Sequence, residues 1–244
     1  MRLYRNCQEM YSDVRRDIHE MGTLVHPETM QDQHVANDPR YATLELAPYT
    51  FMILDGNDRN SFLSHVGGNL SWAQQEHAER VGPAFADERG INPGEAWKLR
   101  RETWEPFLHE GHFGYTYSER FAQFADHTKD DYSILHRVYR ELLEHPNTRQ
   151  AIVPVFSPRD VGAIGGVRRI PCSMHYQFMR RGDQLLMHYV MRSSDFLTHF
   201  PYDIWLALQL QWDFAERLNL TPGRFTFFTG SLHLYAKDAD LGVF

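Results

Sequence analysis

Cys172 sits in the run Arg169-Ile170-Pro171-Cys172-Ser173, and Met191-Arg192-Ser193-Ser194-Asp195 follows it closely. Ser173–Met179 and Gln184–Met191 read as strands, joined by the turn signal Arg180-Arg181-Gly182-Asp183. A hairpin there returns an arginine, two hydroxyls and a carboxylate to the neighbourhood of the thiol. A guanidinium beside a cysteine favours the thiolate, the nucleophilic form. Arginine with serine also makes an anion site: a planar fork of donors with a hydroxyl alongside. Each residue has a plainer alternative. Free cysteines are usually small buried hydrophobes, and Arg192 alone is an ordinary surface ion-pair residue.

Further candidates lie around this pair. Arg149 follows His145-Pro146-Asn147-Thr148, where a cation also suits a helix C-terminus. Asp203, in Pro201-Tyr202-Asp203, opens a long aromatic-rich helix and doubles as a first-turn carboxylate. His233 and Tyr235 alternate in Gly230-Ser231-Leu232-His233-Leu234-Tyr235, so they face one side of an extended segment.

The remaining elements must hold these residues together. Residues 3–21 show helical spacing of Leu3, Cys7, Met10, Val14 and Ile18. Tyr41–Leu46 is β-rich, Tyr49–Leu54 reads as a strand, and Asn60–Ala78 as a helix weakened at Gly67-Gly68. Asp131–Glu144 is amphipathic, Ala151–Phe156 and Arg224–Thr229 read as strands, and Tyr202–Leu218 is a buried helix. Several helices with hairpin-linked strands make an α+β chain.

With 244 residues, 42% of them hydrophobic, the chain suits one domain over residues 1–244. A net charge of −7 disfavours a nucleic acid polymer as partner. No apolar run is long enough to predict a membrane span, and the N-terminus lacks the apolar core of a secretory signal. Two cysteines, Cys7 and Cys172, make no disulfide framework and point to a reducing cytoplasm. The 14 histidines lack metal-binding spacing, so no metal is expected.

Taken in order, Pro171-Cys172, Gln177-Phe178, Arg192-Ser193-x-Asp195, Pro201-Tyr202-Asp203-Ile204, Pro222-Gly223-x-Phe225 and Gly230-x-x-His233-Leu234-Tyr235 resemble the thymidylate synthase family over about residues 100–236. Trp104 and Phe107 resemble its aromatic folate-site segment, Gly114 and Tyr117 its Gly-x-x-Tyr stretch, and Asn147-Thr148-Arg149-Gln150 its phosphate loop. The resemblance implies a central, mainly antiparallel sheet with flanking helices and a homodimer paired through that sheet. It implies a pyrimidine nucleoside monophosphate as substrate, Cys172 adding to C6, and 5,10-methylenetetrahydrofolate as one-carbon donor. Arg192 and Ser193 would hold phosphate, Arg149 reaching the partner's site. His233 and Tyr235 would contact the sugar, and Asp195 the base edge or the pterin beside Trp104. Tyr117 and Asn69 fall at catalytic positions, Asn69 where the family carries glutamate.

The departures carry information. Asp203 stands where thymidylate synthases have asparagine. An amide serves either base by flipping, whereas a carboxylate accepts from the cytosine amino group and repels uracil O4. With Met191 and the Gly-Ser-Leu-His run at 230–233, this resembles the deoxycytidylate hydroxymethylase branch, with dCMP or CMP as substrate. Asn69 cannot act as a general acid or base at neutral pH. Gln150 replaces an arginine of the phosphate loop and His199 a glycine of the folate floor. The chain ends nine residues past Tyr235, without the segment that closes over folate in the family. Two other readings therefore stand beside hydroxymethylation: folate-independent C5 chemistry on the same scaffold, and a silent nucleotide-binding homologue.

Overall fold

The computed structural model describes residues 1–31, 33–123, 132–161 and 169–238. Its elements in chain order are β1 (Arg2–Tyr4), α1 (Cys7–Met21), β2 (Thr23–Val25), β3 (Thr29–Met30), β4 (Gln33–His34), β5 (Thr43–Leu46), β6 (Tyr49–Ile53), α2 (Arg59–His65) and α3 (Leu70–Phe85). There follow α4 (Arg101–Trp104), α5 (Tyr117–Phe121), α6 (Ile134–Glu144), β7 (Ile152–Pro154), β8 (Ser173–Arg181), β9 (Gln184–Asp195), α7 (Phe200–Arg217) and β10 (Thr221–Tyr235).

Among the described residues, eight strands form one sheet along the path β1-β6-β10-β9-β8-β7, with β5 and β2 continuing from β10. Most pairings are antiparallel, as expected; β1–β6 and the long β9–β10 ladder are parallel. The parallel pair follows from α7, which carries the chain from the end of β9 back to the start of β10. Nearly every face of α7 is covered, with Phe200, Ile204, Trp205, Leu208 and Phe214 buried, which is why its sequence lacks a polar stripe.

The hairpin forms where the turn signal lies. Arg181 pairs with Gln184, and Gly182 takes φ +62°, a region glycine enters without steric cost. The helix expected over 60–78 is two helices. Gly67 takes φ +77°, and a Cβ on Gly68 would lie 2.3 Å from a Leu63 methyl, so the chain turns between α2 and α3. The N-terminal helix begins at Cys7 rather than residue 3, because residues 2–4 pair parallel to β6. Asn6 caps α1 by accepting from the Glu9 N–H. The strand expected at 224–229 runs on through Tyr235, since β10 leaves β6 after Thr229 and takes up β5 from Leu232. Asp131, where α6 was expected to start, and the last six residues lie outside the described residues. Among the described residues, no helix is long and apolar enough to cross a membrane.

This topology gathers the candidate residues at one end of the sheet. β8 is antiparallel to β9, so its N-terminus meets the C-terminus of β9; β10 is parallel to β9, so their C-termini coincide. Cys172, Arg192–Asp195 and His233–Tyr235 therefore share one rim, and α7 opens directly above it.

Candidate active site

Cys172 is half-buried, just before β8. A register shift between Ser173 and His175 leaves the Cys172 carbonyl accepting from the Arg192 N–H at 2.8 Å. Three donors point at its sulfur: Arg192 Nη2 at 3.6 Å, Ser193 Oγ at 3.7 Å and Gln31 Nε2 at 3.7 Å. Together they orient the sulfur and surround it with N–H and O–H groups. Gln31 comes from the turn between β3 and β4 with φ +55°; no local signal ties it to Cys172, 141 positions away.

Arg192 is committed more deeply than an open phosphate fork. Its Nε donates to the Pro171 carbonyl at 2.9 Å, Nη2 to Ile170 at 3.3 Å, and Nη1 to Ser193 Oγ at 3.1 Å. With the contact to sulfur, four of its five N–H groups are used. The fifth N–H, beside Ser193, remains for an anion.

Successive residues of a strand face opposite ways, so Ser193 serves the cysteine while Ser194 serves α7. Ser194 Oγ donates to Asp203 Oδ2 at 2.8 Å. Burial pushes the Asp203 carboxyl up to about 7, and the Ser194 hydroxyl opposes that only in part. Asp203 is thus largely protonated below neutral pH, in the presence of Asp195, Arg80 and Arg100. Asp195 itself turns the chain into α7, accepting from the N–H groups of Leu197 and Thr198.

His233 lies opposite Asp195 in the ladder. Its Nδ1 pairs with Ser231 Oγ at 3.2 Å, and its ring stands edge-on to Tyr235 at 4.9 Å. Burial pushes His233 down to about 4, so the imidazole is neutral at neutral pH. Burial also raises Tyr235. Tyr117 enters at the start of α5, fixed by the Thr116–Glu119 capping box. Its hydroxyl bonds Ser173 Oγ at 2.8 Å, and Ser173 Oγ bonds the Tyr189 hydroxyl. The Arg80 guanidinium lies 3.9 Å from the Tyr117 ring centroid, and burial holds Tyr117 well above the usual phenol range.

Beside this rim is a narrow cavity walled by Trp97, Trp104, Phe113 and Tyr115, with Glu76, Glu79 and Arg169 also lining it. Trp104 stacks on Trp72, 6.2 Å between centroids, and the His199 ring tilts against it at 5.7 Å. The indole N–H groups of Trp97 and Trp104 are buried without a partner among the described residues.

Asn69 and Arg149 are not drawn into this cluster. Asn69 caps α3: its Oδ1 accepts from the Trp72 N–H at 2.9 Å and its amide donates to the Leu99 carbonyl. Two turns along α3, Glu76 lines the cavity and accepts from Arg80 Nε at 2.7 Å. Arg149 is exposed, its carbonyl bound by the Gln177 side chain. Gln177 lies five positions along from Cys172, about 17 Å at the usual strand rise.

Trp97, Trp104, Phe113 and Tyr115 of the aromatic cavity, Cys172 in its donor cradle and Asp203 at the opening of α7 all fall within one matched stretch. The thymidylate synthase family profile matches residues 85–241, more than half the chain. The chain belongs to the thymidylate synthase family. The thymidylate synthase of Rhodopseudomonas palustris (strain BisA53) is 27% identical over 131 residues, covering 53% of this chain and 43% of that protein. The chain spans less than half the length of that relative. Thermostable thymidylate synthase A from Bacillus subtilis shares the fold with a TM-score of 0.71 and 15% identity, covering 94% of this chain and 80% of that one. The thymidylate synthase of T4 phage does so at 0.64 and 22%, covering 93% and 76%.

Proposed function

We propose that this thymidylate synthase family member modifies C5 of a cytidine nucleoside monophosphate, dCMP or CMP, leaving a hydroxymethyl group. The observation that carries this reading is the pairing of a cradled Cys172 with a half-buried Asp203 held by Ser194. The Cys172 sulfur adds to C6, and the C5–C6 π electrons move into the ring toward N3. Asp203 meets that demand. In its protonated form it offers an O–H to N3 while its other oxygen accepts from the N4 amino group. A proton held at N3 lets the ring accept the electron pair, so the protonated form of Asp203 activates the base, while selection against uracil belongs to its ionised form, which meets O4 with like charge. C5 then becomes the carbon nucleophile. A bound donor would supply the one-carbon unit that C5 attacks, and the donor amine would leave. Water held by the Tyr117 hydroxyl, itself kept neutral by burial, would take the C5 proton. Water would add to the resulting exocyclic methylene, and the sulfur would leave C6 to restore the C5–C6 double bond.

Arg192 binds phosphate through its remaining N–H, and Ser193 joins it when its hydroxyl turns from the Cys172 sulfur, with Arg149 of a second subunit completing the site in a homodimer paired through the sheet. His233, neutral and oriented by Ser231, and Tyr235 contact the sugar. Asn69 contributes by fixing α3, which carries Glu76 to the cavity. Trp104 offers a flat wall, and the unpartnered indole N–H groups of Trp97 and Trp104 suit a planar, acceptor-rich ring. These residues fit methylenetetrahydrofolate, which when bound supplies a one-carbon unit at the oxidation level of formaldehyde. Asp195 would meet the base edge or the pterin.

Incubation with CMP, dCMP, UMP and dUMP plus methylenetetrahydrofolate, with products resolved by mass, tests the reading. A cytidylate gaining CH₂O is expected; a uridylate gaining CH₂ returns the chain to thymidylate chemistry.

A further inference from the structure

The side chain nearest the aromatic wall is the chain's own. The Arg169 guanidinium carbon lies 4.6 Å from the Tyr115 ring centroid, 5.2 Å from Trp104, 5.5 Å from Phe107 and 5.7 Å from Phe113. All four distances fall within cation–π range. A planar, N–H-rich group thus fills the slot where, on the reading above, a planar ring of the one-carbon donor would lie. We propose that Arg169 is the specificity-determining residue of that slot: it occupies the aromatic walls in the free protein, and a donor ring binds only after Arg169 has turned out.

Three features make Arg169 displaceable. Its hydrogen bond to a described residue, Nη1 to the Tyr115 carbonyl, is 3.4 Å long. By contrast, Arg80 is held by Glu76 at 2.7 Å and Arg192 by two short backbone and side-chain contacts. The carboxylates lining the cavity are taken up elsewhere: Glu76 by Arg80, and Glu79 by the Glu95 and Ala96 N–H groups. Among the described residues, ring faces are therefore the main hold on the guanidinium, and they are the same faces a heterocycle would use. A ligand whose site is competent in only a fraction of molecules shows its intrinsic Kd divided by that fraction. A side chain that fills the slot nine-tenths of the time would thus weaken donor binding about tenfold.

The inference rests on the folate reading and is tested apart from catalysis. Isothermal titration with folic acid, in the presence of saturating CMP or dCMP, is run on wild type, Arg169→Leu and Arg169→Lys. Arg169→Leu should bind folic acid about tenfold more tightly or better, with Arg169→Lys between it and wild type. Nucleotide affinity, unchanged within about twofold by the error of such additivity, confirms a folded site; if Arg169→Leu fails that control, Arg169→Lys alone must still tighten. Equal or weaker folic acid binding by the variants overturns the proposal while leaving the folate reading intact. No binding by any of the three proteins overturns both, because the slot then has no ring to admit.

Discussion

Asp203→Asn removes a titrating group that the fold holds at a cost, and the cost is readable as stability. Burial moves Asp203 from the ordinary 3.8 to about 7. Above the unfolded value the unfolded chain releases a proton that the folded one retains. Between about pH 4 and pH 7 the folded state therefore binds more protons, and stability falls as pH rises. The loss is complete near pH 7 and constant above it. Three pH units at 1.36 kcal/mol each amount to about 4 kcal/mol, an order-of-magnitude figure. Asparagine cannot ionise and can still accept from Ser194, so the variant escapes this penalty. We predict that Asp203→Asn matches wild type near pH 4 and exceeds it at pH 8. At roughly 2–4 °C per kcal/mol for a domain of this size, the gain in Tm at pH 8 is about 8 °C or more. Thermal melts of both proteins from pH 4 to pH 8 measure it. A difference in Tm that stays flat across that range refutes the buried, proton-retaining carboxyl and the base reading built on it.

Three other outcomes follow from the same geometry. Gln31→Ala removes one of the three donors at the Cys172 sulfur; at about 1 kcal/mol per bond, its alkylation by iodoacetamide at fixed pH should slow about fivefold, and an unchanged rate places Gln31 outside the nucleophile's environment. Because Arg149 lies far along β8 from its own Cys172, mixing Cys172→Ser with Arg149→Ala should restore activity that neither has alone; a mixture no better than its parents argues against a site shared between subunits. Because His233 is already neutral well below pH 6, His233→Asn should leave the shape of the nucleotide affinity curve across pH 5.5–7.5 as in wild type, where Asp203 and the phosphate titrate; titration calorimetry in which the substitution removes a step near pH 6.5 removes the low His233 value from the account.

Much of this site was legible in the sequence where the signal was local or ordered. The hairpin and its Gly182 turn follow from alternation and one residue, and they alone bring Arg192 and Ser193 beside Cys172. The resemblance gave roles to His233, Tyr235 and Asp203, which the parallel β9–β10 ladder and α7 gather, and added Tyr117 on α5. The capping role of Asn69 was also local, an asparagine three residues ahead of a helix N–H, but its place in a family motif drew attention to chemistry instead. What stayed hidden depends on contacts between distant segments. β1 is a three-residue strand that exists because β6 offers an edge. Gln31 reaches Cys172 across most of the chain. The polar pairing of Ser194 with Asp203 needs the crossover through α7. Arg169 sits two residues before the Pro171-Cys172 motif, yet its meaning lies in four rings supplied by residues 104–115.

The account stands most directly on release of tritium from C5. Purified protein is incubated with CMP or dCMP tritiated at C5, with and without methylenetetrahydrofolate, and label in water is counted. Covalent activation through Cys172 predicts release by wild type and none by Cys172→Ser, with nucleotide still bound by the variant. Equal release by the two proteins, or none by a wild type that binds the nucleotide, would contradict it.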